Sequence, residues 1–337
     1  MDILSFWRDL FDGTHPWEKS YPTGVEWLLE PIDQPMHGLL DAAAYQHPKR
    51  IFLNFLGRTW TYQQVADSAR TIAAALQAHG LQQGQRVGLC LPNCPYYPMF
   101  YFGILQAGGV VVNLNPLLTV AELQHMVADS EPMAVVTLDA PVLLKKTQQA
   151  MGEKPLIVCS LGAALPPVKK TLLWLKNLPS SLMGTLRPQD IPARELLEST
   201  AALHPVNINP RDDVALIQYT GGTTGLPKGA MLTHTNLRTQ TEQLKLWLGS
   251  TDPQGEKILA VLPFFHTFAL AANLHLAVAT GSQIVMLPRF DLRQVLTTIH
   301  KLKPTILAAV PALLNAILNE PKLKKYNLSS LTWSISG

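Results

Sequence analysis

Short runs of aliphatic and β-branched residues alternate with amphipathic helical segments along most of the chain. In the first half, helical patterns at residues 61–80, 96–106, 119–129 and 141–150 alternate with the strand-like runs RVGLCLP, GVVVNLNP, MAVVTLD and LIVCS. Two of these helices begin with the spacing of a capping box, Thr61 with Gln64 and Thr119 with Glu122. Strands and helices that alternate in this way form parallel sheets through right-handed crossovers.

A second series follows the proline-containing link VNINPRDD. Its strand-like runs are VALIQYT, GAMLTH, KILAVLPFF, SQIVMLP, TILAAVP and LTWSISG, and helical patterns occupy residues 235–248 and 291–302. The two series predict an α/β fold with two stacked, mostly parallel sheets and helices on both faces. We expect an amino-terminal extension at residues 1–40, a first α/β subdomain at 41–205 and a second at 206–337.

Two long stretches, residues 87–121 and 258–288, contain no charged side chain. Proline and asparagine interrupt both, which favours buried strands with covering helices over membrane spans. Residues 168–183 are apolar with interspersed lysines and break the α/β pattern. They predict either a membrane-surface helix or a segment that leaves the α/β pattern and packs on the rest of the protein.

Composition limits the class of protein further. The 337 residues are 47% hydrophobic and 15% charged, with a net charge of +3 and no long basic run, so a large core is expected and a nucleic-acid partner is not. Three cysteines without a CxxC pair indicate neither a disulfide framework nor a zinc site. The amino terminus lacks the basic start of an export signal. We therefore expect a cytoplasmic protein. The membrane-surface alternative for residues 168–183 would add peripheral contact to the inner face of the membrane.

The most specific motif is YTGGTTGLPKGA at residues 219–230, which follows the strand VALIQYT. Glycines let backbone N–H groups approach an anion, hydroxyls bind phosphate or Mg2+, and Lys228 supplies a positive charge. The motif predicts polyphosphate binding at a carboxyl strand end, with a flexible hairpin as the alternative. It is not a Walker loop, because Lys228 follows a proline and precedes another strand-like run.

This motif resembles the signature of the adenylate-forming (AMP-binding) superfamily. The runs GAMLTHTNL, PFFHTFAL, VPALLNAIL and RTWTYQQVADSARTIAAAL are similar to other parts of the same enzymes, so the resemblance extends over residues 21–337. The loop start TGG, the run KGAMLTH and the amino-terminal YPTGVEW most resemble bacterial long-chain fatty acid–CoA ligases.

The resemblance implies a two-step reaction that uses ATP, Mg2+ and coenzyme A and passes through an acyl-AMP. It implies that Lys228 and His266 are catalytic and that Thr223 or Thr224 is one Mg2+ ligand. The nucleotide-binding residues that it implies are Tyr219, Thr220, Gly221, Gly222, Thr223, Thr224, Gly225, Lys228 and Gly229.

For the acyl chain, the resemblance implies a tunnel lined or gated by Phe265, His266, Phe268 and Leu270. Ala269 stands where many members carry glycine, which puts the width of this site in question. Without the resemblance, a histidine in the apolar run LPFFHTFAL is more often a core residue. We read His234 as a structural strand-end residue before a helix capped by Thr235 or Asn236, and His275 as packing.

Several motifs that the family places later do not occur in these residues: a magnesium-binding glutamate, a ribose-binding aspartate and a carboxyl-terminal domain with an adenylation lysine. The sequence therefore predicts a truncated amino-terminal portion of the enzyme, inactive alone. The expected partners are a long-chain fatty acid, ATP, coenzyme A and a second copy of the chain. The alternatives are a non-catalytic acyl- or nucleotide-binding homologue and a ligase for aryl or medium-chain acids.

Overall fold

A computed structural model describes residues 17, 20–25, 29–167, 185–220, 227–249 and 255–337. Within these ranges, the strands form two sheets. They are β1 Ile51–Phe55, β2 Arg58–Thr61, β3 Arg86–Leu89, β4 Val110–Asn113, β5 Ala134–Leu138, β6 Leu156–Cys159, β7 Ile191–Pro192, β8 Val214–Thr220, β9 Lys228–Thr233, β10 Lys257–Ala260, β11 Gln283–Met286, β12 Ile306–Ala309 and β13 Trp333–Ser336.

The first sheet has the strand order β7-β6-β5-β3-β4-β8-β9, and the second has the order β13-β12-β10-β11-β1-β2. Every neighbouring pair is parallel except β8 with β9 and β1 with β2, which are antiparallel edge hairpins. The central strands are almost fully buried, as expected when helices cover both faces of a parallel sheet. The predicted fold class is therefore confirmed.

The sheets do not follow the division expected at residue 206. Strands β1 and β2 precede the first sheet in the chain but belong to the second sheet, where β1 pairs with β11 and β2 pairs with β1. Strands β8 and β9 follow the division but belong to the first sheet, where β8 pairs with β4 and β9 pairs with β8. Each half of the chain thus contributes an edge hairpin to the other half's sheet, and the two sheets share one folding unit.

Helices cover and separate the sheets. They are α1 Gly38–Gln46, α2 Tyr62–Ala78, α3 Tyr96–Gln106, α4 Val120–Ser130, α5 Pro141–Met151, α6 Leu161–Ala164, α7 Ala193–Leu197, α8 His234–Leu248, α9 Thr267–Ala269, a π-helix Leu270–His275, α10 Leu276–Thr280, α11 Leu292–Leu302, α12 Pro311–Leu318 and a 3-10 turn Leu323–Lys325. Every residue of α3 except Gln106 is buried. One core cluster joins α3 to strand residues of both sheets, so this helix belongs to the layer between them.

The predicted capping boxes at Thr61 and Thr119 are both present, with the two reciprocal hydrogen bonds of each. The cap predicted for α8 is wrong. Neither Thr235 nor Asn236 is the N-cap, because the Thr233 hydroxyl accepts from the Asn236 N–H at 3.2 Å and the Asn236 carboxamide accepts from the Thr233 N–H at 3.0 Å. His234 is consequently the first residue of the helix.

Among the described residues, no helix is both long enough and apolar enough to cross a bilayer. The segment 168–183, for which we expected a membrane-surface helix or a packed segment outside the α/β pattern, lies outside the described residues. All three cysteines are buried free thiols, and burial raises the pKa of Cys90 to about 11.

Candidate functional site

The glycine- and threonine-rich loop lies between β8 and β9. Thr220 ends β8, Lys228 begins β9, and the two residues are cross-strand partners with exposed side chains. The intervening residues Gly221, Gly222, Thr223, Thr224 and Gly225 lie outside the described residues. The hairpin therefore fixes both ends of the loop at the carboxyl end of the first sheet's strands.

Tyr219 and Gly229 oppose each other in the same hairpin. The Tyr219 phenol is buried and donates to the Asp129 carboxylate at 2.5 Å, so its side chain anchors β8 to helix α4. Burial, followed by the Asp129 contact, raises the pKa of Tyr219. A Cβ at Gly229 would lie 2.9 Å from the Ile217 Cγ2 atom, so the hairpin packs closely at this point.

His266 lies in the turn that follows β10. Its N–H donates to the Pro263 carbonyl at 3.0 Å, and its carbonyl accepts from the Leu270 N–H at 2.9 Å, which starts the next helical segment. The residue is exposed, but surrounding protein atoms displace enough water from its imidazole to lower its pKa. The ring centroid lies 4.7 Å from that of Phe265. A mostly neutral imidazole is thus presented at the surface near neutral pH.

The predicted acyl-site residues do not line one common cavity. Phe268 lines a cavity of about 370 Å³ between α8 and the segment that begins with α9, together with Leu237, Leu244 and Ala272. Asn236 and Gln240 also border it, but the exposed surface of the cavity is almost wholly apolar. Gly337 lies close to the Phe268 ring, because a Cβ at this glycine would be 3.2 Å from the Phe268 Cε2 atom.

Phe265 lines a different and larger groove of about 710 Å³. This groove follows the carboxyl ends of strands from both sheets and is mainly apolar, although Asn93, Lys146 and Arg289 are among its lining residues. Lys146 donates to the carbonyls of Pro116 and Leu118. Leu270 lines neither cavity, because its side chain is fully buried in the core.

Two further histidines, His234 and His275, behave as structural residues. Nδ1 of His234 accepts from the Met36 N–H at 3.0 Å, and Nε2 of His275 lies 2.9 Å from the Tyr101 hydroxyl in a fully buried site. Burial, followed by the charge of Arg238, lowers the pKa of His275 to about 3. The part of the chain that the structure describes contains no group of three or more His, Cys, Asp or Glu side chains that could hold a metal ion.

Sequence reasoning missed two polar residues beside the site. Asn113 ends β4, Gln218 lies in β8, and their side chains are hydrogen-bonded to each other although both are buried. The signal was an amide in each of the otherwise apolar runs VVVN and VALIQYT. A polar side chain inside a buried parallel strand needs a partner, and here it finds one on the neighbouring strand.

The chain is similar to the members of one enzyme family. The family model described as AMP-binding enzyme matches residues 40–337. The chain is 34% identical to a long-chain-fatty-acid–CoA ligase of Bacillus subtilis (strain 168) over 96% of its own length, and 33% identical to one of Salmonella typhimurium over 95%. It spans 58% and 59% of the lengths of these two relatives.

Solved structures share the fold. A long-chain-fatty-acid–CoA ligase (FadD1) from Archaeoglobus fulgidus superimposes with a TM-score of 0.72 at 26% identity, over 92% of this chain and 59% of that one. The anthranilate CoA ligase AuaEII, solved with anthranoyl-AMP, gives a TM-score of 0.76 at 20% identity, over 91% of this chain and 55% of that one. At that identity the second likeness concerns the fold alone.

Proposed function

Because this chain belongs to the AMP-binding enzyme family, we propose that it carries the ATP- and acyl-binding surfaces of a long-chain fatty acid–CoA ligase. In the proposed reaction a fatty acid carboxylate oxygen attacks the α-phosphorus of ATP, and pyrophosphate leaves to give acyl-AMP. The thiolate of coenzyme A then attacks the acyl carbonyl carbon, and AMP leaves. The chain spans less than two thirds of its relatives' length, so this is a proposal for the whole enzyme.

The observation that carries the proposal is the hairpin that joins Thr220 to Lys228. Its two exposed ends hold a loop of glycines and threonines at the carboxyl edge of the first sheet, where α/β folds bind their ligands. Backbone N–H groups, hydroxyls and the Lys228 ammonium would bind the β- and γ-phosphates of the magnesium complex of ATP. Thr223 or Thr224 would give one hydroxyl to the Mg2+. These donors stabilise the charge that develops on the leaving pyrophosphate.

His266 would act as a neutral group. Since its pKa is lowered, the imidazole is uncharged near neutral pH and can donate one hydrogen bond and accept another. His266 lines neither cavity, but in the chain it lies between Phe265, which lines the groove, and Phe268, which lines the cavity. This position supports a role in orienting the fatty acid carboxylate toward ATP. Holding two anions in one geometry is the main demand of the first step.

The Phe268 cavity is the proposed acyl site. A cavity of about 150 Å³ holds one benzene molecule. By that scale the cavity of about 370 Å³ accommodates a chain on the order of fifteen carbons. Its almost wholly apolar surface stabilises an alkyl chain, at about 0.8 kcal/mol for each methylene removed from water. The size and apolar character of the cavity support a long acyl chain over a single aromatic ring.

Fatty acid binding to the 337-residue chain tests this assignment. In Ala272→Leu the added side chain fills part of the Phe268 cavity, so we expect palmitate affinity to fall at least about tenfold and octanoate affinity to change much less. The matched control is Ala312→Leu, which adds the same atoms to the Phe265 groove. Equilibrium binding by displacement of a fluorescent fatty acid provides the measurement. If only Ala312→Leu weakens palmitate, or if benzoate binds better than palmitate, the assignment is wrong.

A further inference from the structure

We propose that Asn93, Tyr97, Asn113 and Gln218 are positioning residues that hold the His266 turn against the strand leading into the phosphate loop. We refer to these four side chains as the amide relay. Asn93 lies in the loop between β3 and α3, Tyr97 lies in α3, Asn113 ends β4 and Gln218 lies in β8, so the four residues come from the first sheet and the segment that leads from it into the helix between the sheets. The turn that they contact belongs to the second sheet.

Three side chains form one continuous chain of hydrogen bonds. The Tyr97 hydroxyl donates to the Asn113 Oδ1 atom at 2.6 Å, and the Asn113 Nδ2 atom donates to the Gln218 Oε1 atom at 2.9 Å. The Gln218 Nε2 atom then donates to the Phe265 carbonyl at 3.1 Å. The Tyr97 hydroxyl has a second acceptor, the Phe264 carbonyl at 3.1 Å, so its one proton serves either the Asn113 amide or the turn itself. Hydrogen bonds linked in such a network polarise and strengthen one another.

Asn93 holds the segment just before this point. Its Nδ2 atom donates to the Leu262 carbonyl at 3.0 Å and lies 3.3 Å from the Ala260 carbonyl, while its Oδ1 atom accepts from the Phe264 N–H at 2.9 Å. One side chain therefore supplies both a donor and an acceptor to the backbone that leaves β10. Together with Gln218, it fixes the main chain on the amino-terminal side of His266.

Burial makes these bonds difficult to replace. Tyr97 is 0% exposed, Asn93 and Asn113 are 2% exposed, and Gln218 is 7% exposed. Water cannot reach the Phe265 carbonyl in place of the Gln218 amide without opening this packing. A buried polar group that loses its partner is destabilising, so the turn is held in one conformation.

The relay also connects two parts of the proposed active site. Gln218 lies two residues before Thr220, where the phosphate loop begins, and contacts the residue immediately before His266. A change in β8 when triphosphate binds would therefore be transmitted to the imidazole. This part of the inference rests on the proposed function, whereas the positioning of the turn does not.

The imidazole signal of His266 in a ¹H–¹³C NMR spectrum of the 337-residue chain tests the relay. The signal is assigned by its loss in His266→Gln. Gln218→Met keeps the length of the side chain but removes both relay bonds. Asn273→Leu is the matched control, because Asn273 is a fully buried amide whose carboxamide atoms have no hydrogen-bond partner among the described residues.

In the unliganded protein, we expect Gln218→Met to shift or broaden the His266 signal and Asn273→Leu to leave it unchanged. With the magnesium complex of ATP, the signal should move in the wild type and in Asn273→Leu but not in Gln218→Met. A purely structural role would lower stability without removing this ligand-induced shift. If Gln218→Met does not fold, Tyr97→Phe, which removes only one hydroxyl, takes its place in both arms.

The proposal that these side chains position the turn is wrong if the folded relay variant and the wild type give identical His266 signals, with or without ATP. If ATP binds to the wild type but the His266 signal does not move, the proposed coupling between the phosphate loop and the imidazole is wrong. Should the wild type not bind ATP, the proposed function fails, and the unliganded spectra alone decide whether the relay positions the turn.

Discussion

Tyr219 and Gly229 show how single residues beside a binding loop can serve packing as well as chemistry. The resemblance assigns both to the nucleotide, but the Tyr219 phenol binds Asp129 and the missing side chain of Gly229 leaves room for Ile217 and the Tyr219 ring. The motif predicted where the loop begins and ends. It did not predict the direction of the Tyr219 side chain, because the partner Asp129 lies in a helix far away in sequence.

Gly229→Ala should destabilise the hairpin. The new Cβ would lie 2.9 Å from the Ile217 Cγ2 atom, and overpacking of this kind costs about 1–3 kcal/mol. Urea unfolding measures the effect. Gly162→Ala is the control, since its nearest atom would be 3.8 Å away. Equal losses in both variants would show that the close contact does not explain the glycine.

Buried histidines should make the protein sensitive to acid. Burial, followed by the charge of Arg238, lowers the pKa of His275 to about 3. Burial, followed by the charge of His37, lowers the pKa of His234 to about 4. Below pH 6.5 the unfolded chain binds protons that the folded chain does not bind at these sites, so the free energy of unfolding falls as the pH falls from about 6.5 toward 4.

Urea unfolding at pH 7 and pH 5 checks this expectation. In His275→Gln, the loss of stability between the two pH values should be smaller than in the wild type by about 2 kcal/mol. His79→Gln, which changes an exposed histidine, should keep the wild-type loss. An unchanged loss in His275→Gln would contradict the assignment.

At the scale of helices and strands, local signals predicted most of the elements. Thr61 and Thr119 each stand three residues before a Gln or Glu, and both capping boxes form. The start of α8 was misjudged, because Thr233 is followed by Asn236 in place of Gln or Glu. The shorter asparagine side chain still reaches back to the Thr233 N–H at 3.0 Å.

Thr233→Val should destabilise α8 by about 0.5–2 kcal/mol, because it removes the hydroxyl that caps the helix. Thr235→Val is the matched control and loses only an exposed hydrogen bond from Thr235 to Asp33, with the two oxygens 3.0 Å apart. Chemical unfolding followed by circular dichroism compares the two. A larger loss of stability in Thr235→Val than in Thr233→Val would support Thr235 as the N-cap, as expected from the sequence.

At the scale of the whole molecule, strand order was the feature that the sequence could not supply. The apolar runs predicted the strands, but a run such as IFLNF at β1 does not indicate which other strand will pair with it. In the structure, β1 pairs with β11, more than 200 residues later in the chain. The same limit applies to the acyl site. Phe265 and Phe268 are three residues apart in one motif, yet a turn places them on two different cavities.

We propose that the loop between Thr220 and Lys228 binds triphosphate, and calorimetric titration of the 337-residue chain with the magnesium complex of ATP measures this binding. We expect saturable binding at one site, weakened about 10- to 100-fold in Lys228→Ala, since a hydrogen bond to a charged group contributes about 1.5–3 kcal/mol. Lys324→Ala, which removes another exposed lysine, should bind like the wild type. No binding by the folded wild-type chain, or equal affinities for Lys228→Ala and the wild type, would contradict the claim.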